Sequence, residues 1–268
     1  MSDRVRIEVD ARGIADVCLV RADKMNALDA AMFQALLDAV AAIKARGDVR
    51  VVVLRGEGRA FCAGLDMGRM QALRDGAAGG SRDLRPRSHG IANSAQAVAM
   101  GWRELAVPVI AAVHGVAFGG GLQLALGADL RYIDAATRMS VMEVKWGLVP
   151  DMAGLVLMRR LLRDDVLREL TFTGRIVTGA EAVACGLATA VVEDPLAHAR
   201  ALAAELVGKS PAALAAAKRL MNQANAVLDG DAQALLQAES DEQVALMGSP
   251  HQLEAVRAGL EKREARFG

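Results

Sequence analysis

The beginning of the chain alternates between strand-like and helix-like patterns of apolar residues. Segments 5–10 and 14–20 alternate apolar with polar side chains, which predicts two strands. From Asp29 to Ile43 apolar residues recur at offsets of three and four, which predicts an amphipathic helix with Asp29 as its N-cap. The β-branched run at 49–54 then predicts a strand that is covered on both faces. Strand, helix and strand in this order indicate a parallel sheet.

The apolar stretch at 105–128 is long enough to span a bilayer, because only His114 and Gln123 are clearly polar in it. A proline and several glycines interrupt the stretch, however. We therefore interpret it as a buried strand at 109–113, a turn at 119–121 and a buried helix. No membrane segment is predicted.

Beyond residue 153 the pattern is almost entirely helical, and only a short predicted strand at 190–193 interrupts it. The predicted helices cover 155–162, 164–172, 179–185, 195–207, 211–228 and 232–246. The sequence thus predicts an α/β core at 1–195, followed by a helical region at 196–268. The apolar faces of that region favour packing against another subunit.

The charge balance narrows the possible partners. The chain has 32 basic and 32 acidic side chains and a formal net charge of zero at neutral pH. Nucleic-acid-binding domains usually carry a basic excess, so no nucleic acid is expected as a partner. The N-terminal segment is charged and alternating, unlike the basic and then apolar layout of a secretory signal. These features favour a cytoplasmic protein.

The cysteines and histidines give no sign of a metal site. Three cysteines and four histidines are scattered along the chain, without the spacing of C-x-x-C or H-E-x-x-H. An odd number of widely spaced cysteines also argues against a disulfide framework. The pattern fits a reducing compartment, and chemistry without a metal is expected.

Two glycine turns follow two of the predicted buried strands. Gly64 comes after the strand at 49–54, and the triple glycine at 119–121 comes after the strand at 109–113. Such turns can present two backbone N–H groups to one oxygen, which is the geometry of an oxyanion hole. Tight packing of a strand against a helix is the other explanation for either turn taken alone. The nucleotide-binding signature G-x-G-x-x-G is absent.

Three motifs stand out along the chain. They are AFCAGLDM at 60–67, PVIAAVHGVAFGGGLQLALGADLRY at 108–132 and MEVKWGLVPDMAG at 142–154. In order, spacing and chemistry they resemble the crotonase (enoyl-CoA hydratase/isomerase) superfamily. RADKMNALD at 21–29 and LEKREARF at 260–267 match as well, so the likeness covers nearly the whole chain. The resemblance implies a spiral of ββα units with a helical C-terminal oligomerisation region, assembled as a homotrimer or a hexamer.

The resemblance also implies a site for an acyl-CoA thioester. The two oxyanion N–H groups would belong to Leu65 and Gly120. The cleft for coenzyme A would be lined by Met25, Ala27, Ala63, Asp66 and Met67. Lys262 and Phe267 could reach the ligand of a neighbouring subunit. No separate cofactor is implied, because coenzyme A is part of the substrate.

The carboxylates bear on the type of reaction. Hydratases of this family resemble one another in having two glutamates, whereas this chain has Gln123 at the first position and Glu143 at the second. Glutamine does not exchange a proton near neutral pH, so a two-carboxylate hydration mechanism is not favoured. Asp151 follows at the offset where the dienoyl-CoA isomerase branch has an acid/base aspartate. The pattern favours double-bond isomerisation, with Glu143 as base and Asp151 or Glu143 returning the proton.

Other interpretations stay open. Asp151 is also placed to be the N-cap of the helix that begins near residue 153. A single carboxylate, with Gln123 orienting a water, would make the protein an enoyl-CoA hydratase. Loss of catalysis through Gln123 would leave a non-catalytic acyl-CoA-binding protein. The segment 69–88 is expected to shape the acyl pocket in each case.

Overall fold

The structure is a computed structural model that describes residues 3–68, 83–228 and 232–266. The strands in these residues are Val5–Val9 (β1), Ile14–Leu19 (β2), Val51–Gly56 (β3), Val109–Val113 (β4), Val116–Phe118 (β5), Leu130–Ile133 (β6), Arg138–Ser140 (β7), Val177–Thr178 (β8) and Ala190–Val191 (β9). The helices are Ala30–Lys44 (α1), Ser94–Glu104 (α2), Gly120–Leu126 (α3), Gly154–Met158 (α4), Asp164–Thr173 (α5), Gly179–Ala184 (α6), Pro195–Leu206 (α7), Pro211–Leu228 (α8), Ala232–Leu246 (α9) and Pro250–Glu261 (α10). Two 3-10 turns lie at Ala22–Lys24 and Glu143–Trp146.

The larger of two sheets has the strand order β1-β2-β3-β4-β6-β9. Its β1 and β2 run antiparallel, and every other neighbouring pair is parallel. In the smaller sheet β7 lies between β5, to which it is parallel, and β8, to which it is antiparallel. The mixed α/β architecture with a parallel sheet, predicted from the sequence, is confirmed.

The central strand β3 is covered on both faces, as its β-branched run predicts. Val52 and Leu54 pack in the main hydrophobic core. Val51 and Val53 point the other way, because successive side chains of a strand alternate, and they pack with Ala199 of α7. The sheet therefore lies between the main core and α7.

Several helix starts follow local capping signals. Asp29 caps α1 by accepting the Met32 N–H at 2.7 Å, as predicted. Asn93 and Gln96 form a capping box at α2, in which each side chain accepts the backbone N–H of the other residue. Ser249 is the N-cap of α10, a helix that the hydrophobic pattern does not predict.

The structure differs from the prediction in short segments. The strands β5, β7 and β8 have only two or three residues each, too few for an alternating pattern to stand out. The helix predicted at 155–162 ends earlier, at Met158. Its carbonyl accepts both the Leu161 and Leu162 N–H groups, which closes the helix with a tight turn.

The C-terminal helices pack against their own chain. α7 packs on β3 and β4, and the predicted boundary between 1–195 and 196–268 falls in its first turn. α9 contacts α4, and α10 contacts the 3-10 turn at Glu143–Trp146. The division into two domains and the role of the second in oligomerisation stay predictions. Among the described residues, no helix combines the length and apolar content that crossing a bilayer requires.

Candidate active site

The two glycine turns lie directly against each other. The Cys62 N–H donates to Val116 O at 3.1 Å, and Cys62 O accepts the Phe118 N–H at 3.1 Å, so the first turn pairs with β5. A β-carbon on Gly64 would lie 2.5 Å from Phe118 O and 3.7 Å from Gly120 N. Glycine is required at this position because of that close approach and because its φ is +87°.

Leu65 and Gly120 each present a backbone N–H that no acceptor of the described residues uses. The Leu28 N–H donates to Gly64 O at 2.8 Å, and the Asp66 N–H donates to Leu28 O at 3.1 Å. Leu65 lies between these bonded peptide groups, so its own N–H points to the opposite side. Gly120 is the first residue of α3, where an N–H has no acceptor within the helix. Within the described residues, neither N–H has a hydrogen-bond acceptor.

Glu143 is a buried carboxyl beside the second glycine turn. It is 8% exposed, and its Oε1 accepts a hydrogen bond from Gln123 Nε2 at 2.6 Å. Its Oε2 is buried and has no hydrogen-bond partner in the described part of the chain. Burial raises the pKa of Glu143 to about 7; the negative charge of Asp151 adds to this effect, and the hydrogen bond from Gln123 opposes it. Such a carboxyl can take and return a proton near neutral pH.

Gln123 holds Glu143 in one orientation. Its side chain is buried, and its Oε1 accepts the Met152 N–H at 2.8 Å. Because a backbone N–H can only donate, the amide oxygen must face Met152 and the amide nitrogen must face Glu143. A β-carbon on Gly154 would lie 2.6 Å from Gln123 Oε1, so the chain around Met152 passes close to this amide. Gln123 thus links that segment to the buried carboxyl.

Asp151 is half-buried and lies near enough to Glu143 for its charge to raise the pKa of Glu143. The alternative in which Asp151 caps the following helix is wrong. The N-cap of α4 is Ala153, which has a φ of +65°. Its side chain makes no capping hydrogen bond to the backbone N–H groups of the helix. Glu239 of α9 accepts the N–H groups at this helix start instead.

The residues predicted to line the coenzyme A cleft lie on two adjoining segments. The Ala63 N–H donates to Met25 O at 3.0 Å, which places the first glycine turn beside the loop that follows β2. Ala27 is buried in this loop, whereas Met67 is 44% exposed. The structure therefore brings these residues together along one edge of the first turn.

Two residues that the sequence analysis does not single out, Arg21 and Asn26, hold these loops in place. Arg21 Nη1 donates to Asp66 Oδ2 at 2.6 Å, so the Asp66 side chain is engaged within the protein. Asn26 is fully buried, and its Nδ2 donates to Glu57 O at 2.9 Å and to Ala60 O at 2.8 Å. Its φ is +55°, a conformation that asparagine tolerates better than most residues. The residue type itself, an asparagine that tolerates a positive φ, is the feature of the sequence that could have identified Asn26.

The C-terminal binding residues were predicted to reach a neighbouring subunit's ligand. Lys262 is exposed and ends α10 with a φ of +53°. Leu260 packs against the same hydrophobic cluster as Leu65, around Val256, so this end of α10 borders the candidate site of its own chain. Phe267 lies outside the described residues. Contact of either residue with a neighbour's ligand stays a prediction.

Together these groups suit chemistry on an activated carbonyl compound. Two backbone donors can bind an oxygen that takes up negative charge, and a buried carboxyl can move a proton on a neighbouring carbon. Apolar side chains border the turn, because a β-carbon on Gly120 would meet Met152 Sδ at 2.7 Å and Leu28 Cδ1 at 2.9 Å. The described residues contain no group of His, Cys, Asp and Glu side chains arranged to hold a metal ion.

Comparisons with known proteins give a consistent result. The model of a protein family described as Enoyl-CoA hydratase/isomerase matches this chain over residues 10–268. The mitochondrial methylglutaconyl-CoA hydratase of Mus musculus is 33% identical over 98% of this chain and 82% of its own length. The carnitinyl-CoA dehydratase of Salmonella enteritidis is 34% identical over 74% of this chain and 72% of its own length. A solved enoyl-CoA hydratase of Mycobacterium smegmatis has a TM-score of 0.73 and 30% identity, and the match covers 98% of each chain.

Proposed function

This chain belongs to the enoyl-CoA hydratase/isomerase family, and from that membership we propose that it binds an unsaturated fatty acyl-CoA and moves a proton near the thioester. The observation that supports the proposal is the buried Glu143 carboxyl. One of its oxygens is held by Gln123, and the other has no protein partner within the described residues. The carboxyl borders the turn that carries Gly120, because a β-carbon on Gly119 would lie 3.2 Å from Glu143 Oε1.

In this proposal the N–H groups of Leu65 and Gly120 bind the thioester oxygen. When a proton leaves the neighbouring carbon, that oxygen becomes an enolate oxygen, and donors that are already in position stabilise the new charge. One such donor contributes about 3 kcal/mol in the transition state. The adjoining glycine turns support this assignment, because a β-carbon on Gly64, the residue before Leu65, would lie 3.7 Å from Gly120 N.

Glu143 Oε2 would take the proton, and Asp151 or Glu143 itself would return it at another carbon, which shifts the double bond. The pKa of Glu143, raised to about 7, leaves part of the population ionised at neutral pH and allows the proton to be given back. Gln123 can hold Glu143 in place but cannot exchange a proton. For this reason double-bond isomerisation is favoured over addition of water.

The test is an assay of the purified protein with 3-enoyl-, 3,5-dienoyl- and 2-enoyl-CoA. We expect isomerisation of the first or second thioester, and a loss of at least about 100-fold in kcat for Glu143→Gln. Glu104→Gln, which changes a carboxyl on α2 away from the site, serves as the control and should leave kcat unchanged. Undiminished isomerisation by Glu143→Gln would contradict the assignment.

Hydration is the second candidate reaction. The names of the relatives favour it, because one is a methylglutaconyl-CoA hydratase and another is a carnitinyl-CoA dehydratase. In this case Glu143 would act as the single carboxylate and Gln123 would orient the water. Hydration of crotonyl-CoA by the wild type, if it is lost on substitution of Glu143, would favour hydration over isomerisation. Tight binding of thioesters without any turnover would instead indicate an acyl-CoA-binding protein.

The partners and the location of the protein are further parts of the proposal. Coenzyme A is expected as part of the substrate, with no additional cofactor, and the protein is expected to act in the cytoplasm. We propose assembly as a homotrimer or hexamer. Large apolar side chains that are exposed in the single chain support assembly, among them Phe172 of α5 and Leu220 of α8.

A further inference from the structure

Glu239 is a buried carboxyl on α9 that takes no direct part in the proposed reaction. It is 3% exposed, although it lies in the C-terminal helical region. Its Oε1 accepts the Leu155 N–H at 3.1 Å, and its Oε2 accepts the Ala153 N–H at 3.1 Å. A third donor, Gln96 Nε2, reaches Oε2 at 3.2 Å. Both carboxylate oxygens are therefore occupied by donors from other elements.

The two backbone donors belong to a turn that needs outside support. Ala153 has a φ of +65°, a left-handed conformation that is unfavourable for alanine. α4, which follows, has five residues and no side-chain cap. The first N–H groups of a helix have no acceptors within that helix. Glu239 supplies acceptors for two of them from a distant part of the chain.

Hydrogen bonds connect the same turn to Glu143, the candidate base. Met152 lies in it and donates its N–H to Gln123 Oε1 at 2.8 Å, and Gln123 donates to Glu143 at 2.6 Å. Asp151 precedes Met152, and its charge raises the pKa of both Glu143 and Glu239. A displacement of the turn would therefore move Gln123 and Asp151 together, and with them the surroundings of the base.

The other side of Glu239 is also fixed. Gln96 Nε2 donates to Leu236 O at 2.7 Å, and Gln96 Oε1 accepts from Arg87 Nη1 at 3.0 Å. Burial raises the pKa of Glu239 to about 8, while the hydrogen bond from Gln96 opposes this shift. These bonds join α9 to α2. The Glu239 carboxyl is therefore fixed by Gln96 of α2 on one side, and it binds the turn that carries Ala153 on the other side.

We propose that Glu239 is a positioning residue for the proton transfer. From α9 it fixes the turn at 151–155, so that Gln123 and Asp151 keep their places around Glu143. The inference rests on the proposed function and extends it. It makes the C-terminal helical region a part of the active site of its own chain, in addition to any role in assembly.

The test compares Glu239→Gln with Ser240→Ala in the full-length protein. The substrate is whichever of 3-enoyl-, 3,5-dienoyl- and 2-enoyl-CoA the wild type turns over fastest. Glu239→Gln keeps the size of the side chain but turns an NH₂ group toward backbone donors, which leaves at least one of them without an acceptor. Ser240→Ala removes the hydroxyl that accepts from Arg87 at 2.8 Å, from Asn93 at 3.0 Å and from Gln96 at 3.4 Å on the same helix, and it leaves both acceptors of the turn in place.

For Glu239→Gln we expect kcat to fall about tenfold or more, while KM changes by less than about twofold. We also expect the acid limb of the pH profile of kcat to move. The charge of Asp151 raises the pKa of Glu143 and the hydrogen bond from Gln123 lowers it, so a displaced turn would change the balance of these two effects. Ser240→Ala should lower the unfolding temperature without changing kcat or the position of the acid limb. If Glu239→Gln does not fold, Glu239→Asp, which shortens the reach of the carboxylate, is judged by the same two readouts.

A wild-type kcat and an unmoved acid limb in Glu239→Gln would overturn the inference and leave the proposed function intact. Equal losses of kcat in Glu239→Gln and Ser240→Ala, with an unmoved limb in both, would overturn it as well, because a general loss of packing would explain them. Failure of the proposed function is distinguishable, since the wild type itself would then turn over none of the three thioesters.

Discussion

At the scale of single residues, the environment proposed to make the Glu143 carboxyl reactive also lowers stability. One oxygen is bonded to Gln123, and the other is buried without a partner in the described residues. A base needs an oxygen that is open to the substrate, but a buried charge with few partners is unfavourable for the folded chain. The same environment that raises the pKa of Glu143 to about 7 therefore weakens the fold once the group ionises.

Glu143→Gln should therefore stabilise the protein above neutral pH. The pKa rises from 4.5 in the unfolded chain to about 7 in the fold, so the favourable contribution of Glu143 is complete below about 4.5 and is lost as pH rises through about 7. A neutral amide avoids this loss, and we expect a gain of about 3 kcal/mol in the free energy of unfolding at pH 8.5. The gain should disappear near pH 4.5.

Urea unfolding of the wild type and of Glu143→Gln at both pH values measures this difference. Glu193→Gln changes an exposed carboxyl and should show no such dependence on pH. A stability difference between Glu143→Gln and the wild type that is the same at both pH values would rule out the raised pKa as its cause.

Some of the residues of the site can be found from the sequence, and others cannot. Gln123, Glu143 and the glycines stand in continuous motifs, where their neighbours identify them. Glu239 stands 86 residues from its partner Ala153 and looks like any other glutamate of a polar helix. Its importance arises only when α9 folds back on the turn, and no local pattern encodes that contact.

At the scale of elements, a buried amine joins α8 to the core. Lys218 Nζ lies 2.7 Å from Asp129 Oδ2, and it also donates to Val107 O at 2.9 Å and to Trp102 O at 3.2 Å. The Lys218 side chain is only 5% exposed. Burial lowers the pKa of Lys218, and the charge of Asp129 counteracts this. Removing one partner of such a pair leaves the other charge without compensation.

Lys218→Met should destabilise the protein by about 3 kcal/mol, because Asp129 keeps its charge but loses its cation. Lys209→Met is the control, since it removes an exposed pair between Lys209 and Glu205 at the end of α7 and should change stability by less than about 0.5 kcal/mol. Denaturant unfolding measures both. Adding Asp129→Asn to Lys218→Met should recover part of the loss. Equal losses in the two lysine variants would contradict this account.

The elements themselves were predictable to different degrees. The helix at 211–228 was predicted with the bounds it has in the structure, because its pattern is long and both ends are marked. The three-residue strand β5 was not, although it pairs with the first glycine turn and so helps to build the site. A strand this short forms because its neighbours offer hydrogen bonds, and its own sequence carries little of that information.

At the scale of the whole molecule, the crotonase-type fold expected from the ordered motifs is confirmed by the family match and by the solved structures. The motifs identify the core because they form its strands and turns. The motifs do not predict how α9 and α10 pack beside the candidate site of the same chain. Periodicity indicates that a helix has an apolar face, but many surfaces can cover that face.

The outer face of α8 is one such surface that the single chain leaves uncovered. Leu220 is 65% exposed and Met221 is 59% exposed. Lys218, two residues before Leu220, points to the opposite side of the helix and fixes the helix to the core, so the Leu220 side chain is held outward. Large apolar side chains held in this way on a fixed helix favour contact with another copy of the chain.

We therefore expect the protein to assemble through α8. Light scattering after size exclusion should give three or six times the chain mass of 28.2 kDa, and Leu220→Asp should reduce this toward a single chain, because a buried charge at the contact would be unfavourable. Arg219→Asp is the control: the residue is exposed on another side of α8, and the change should leave the mass unaltered. A wild-type mass of one chain would refute the predicted trimer or hexamer. An unchanged mass in Leu220→Asp would place the contact between subunits on another face, since a charged residue in an apolar interface has no partner to compensate it.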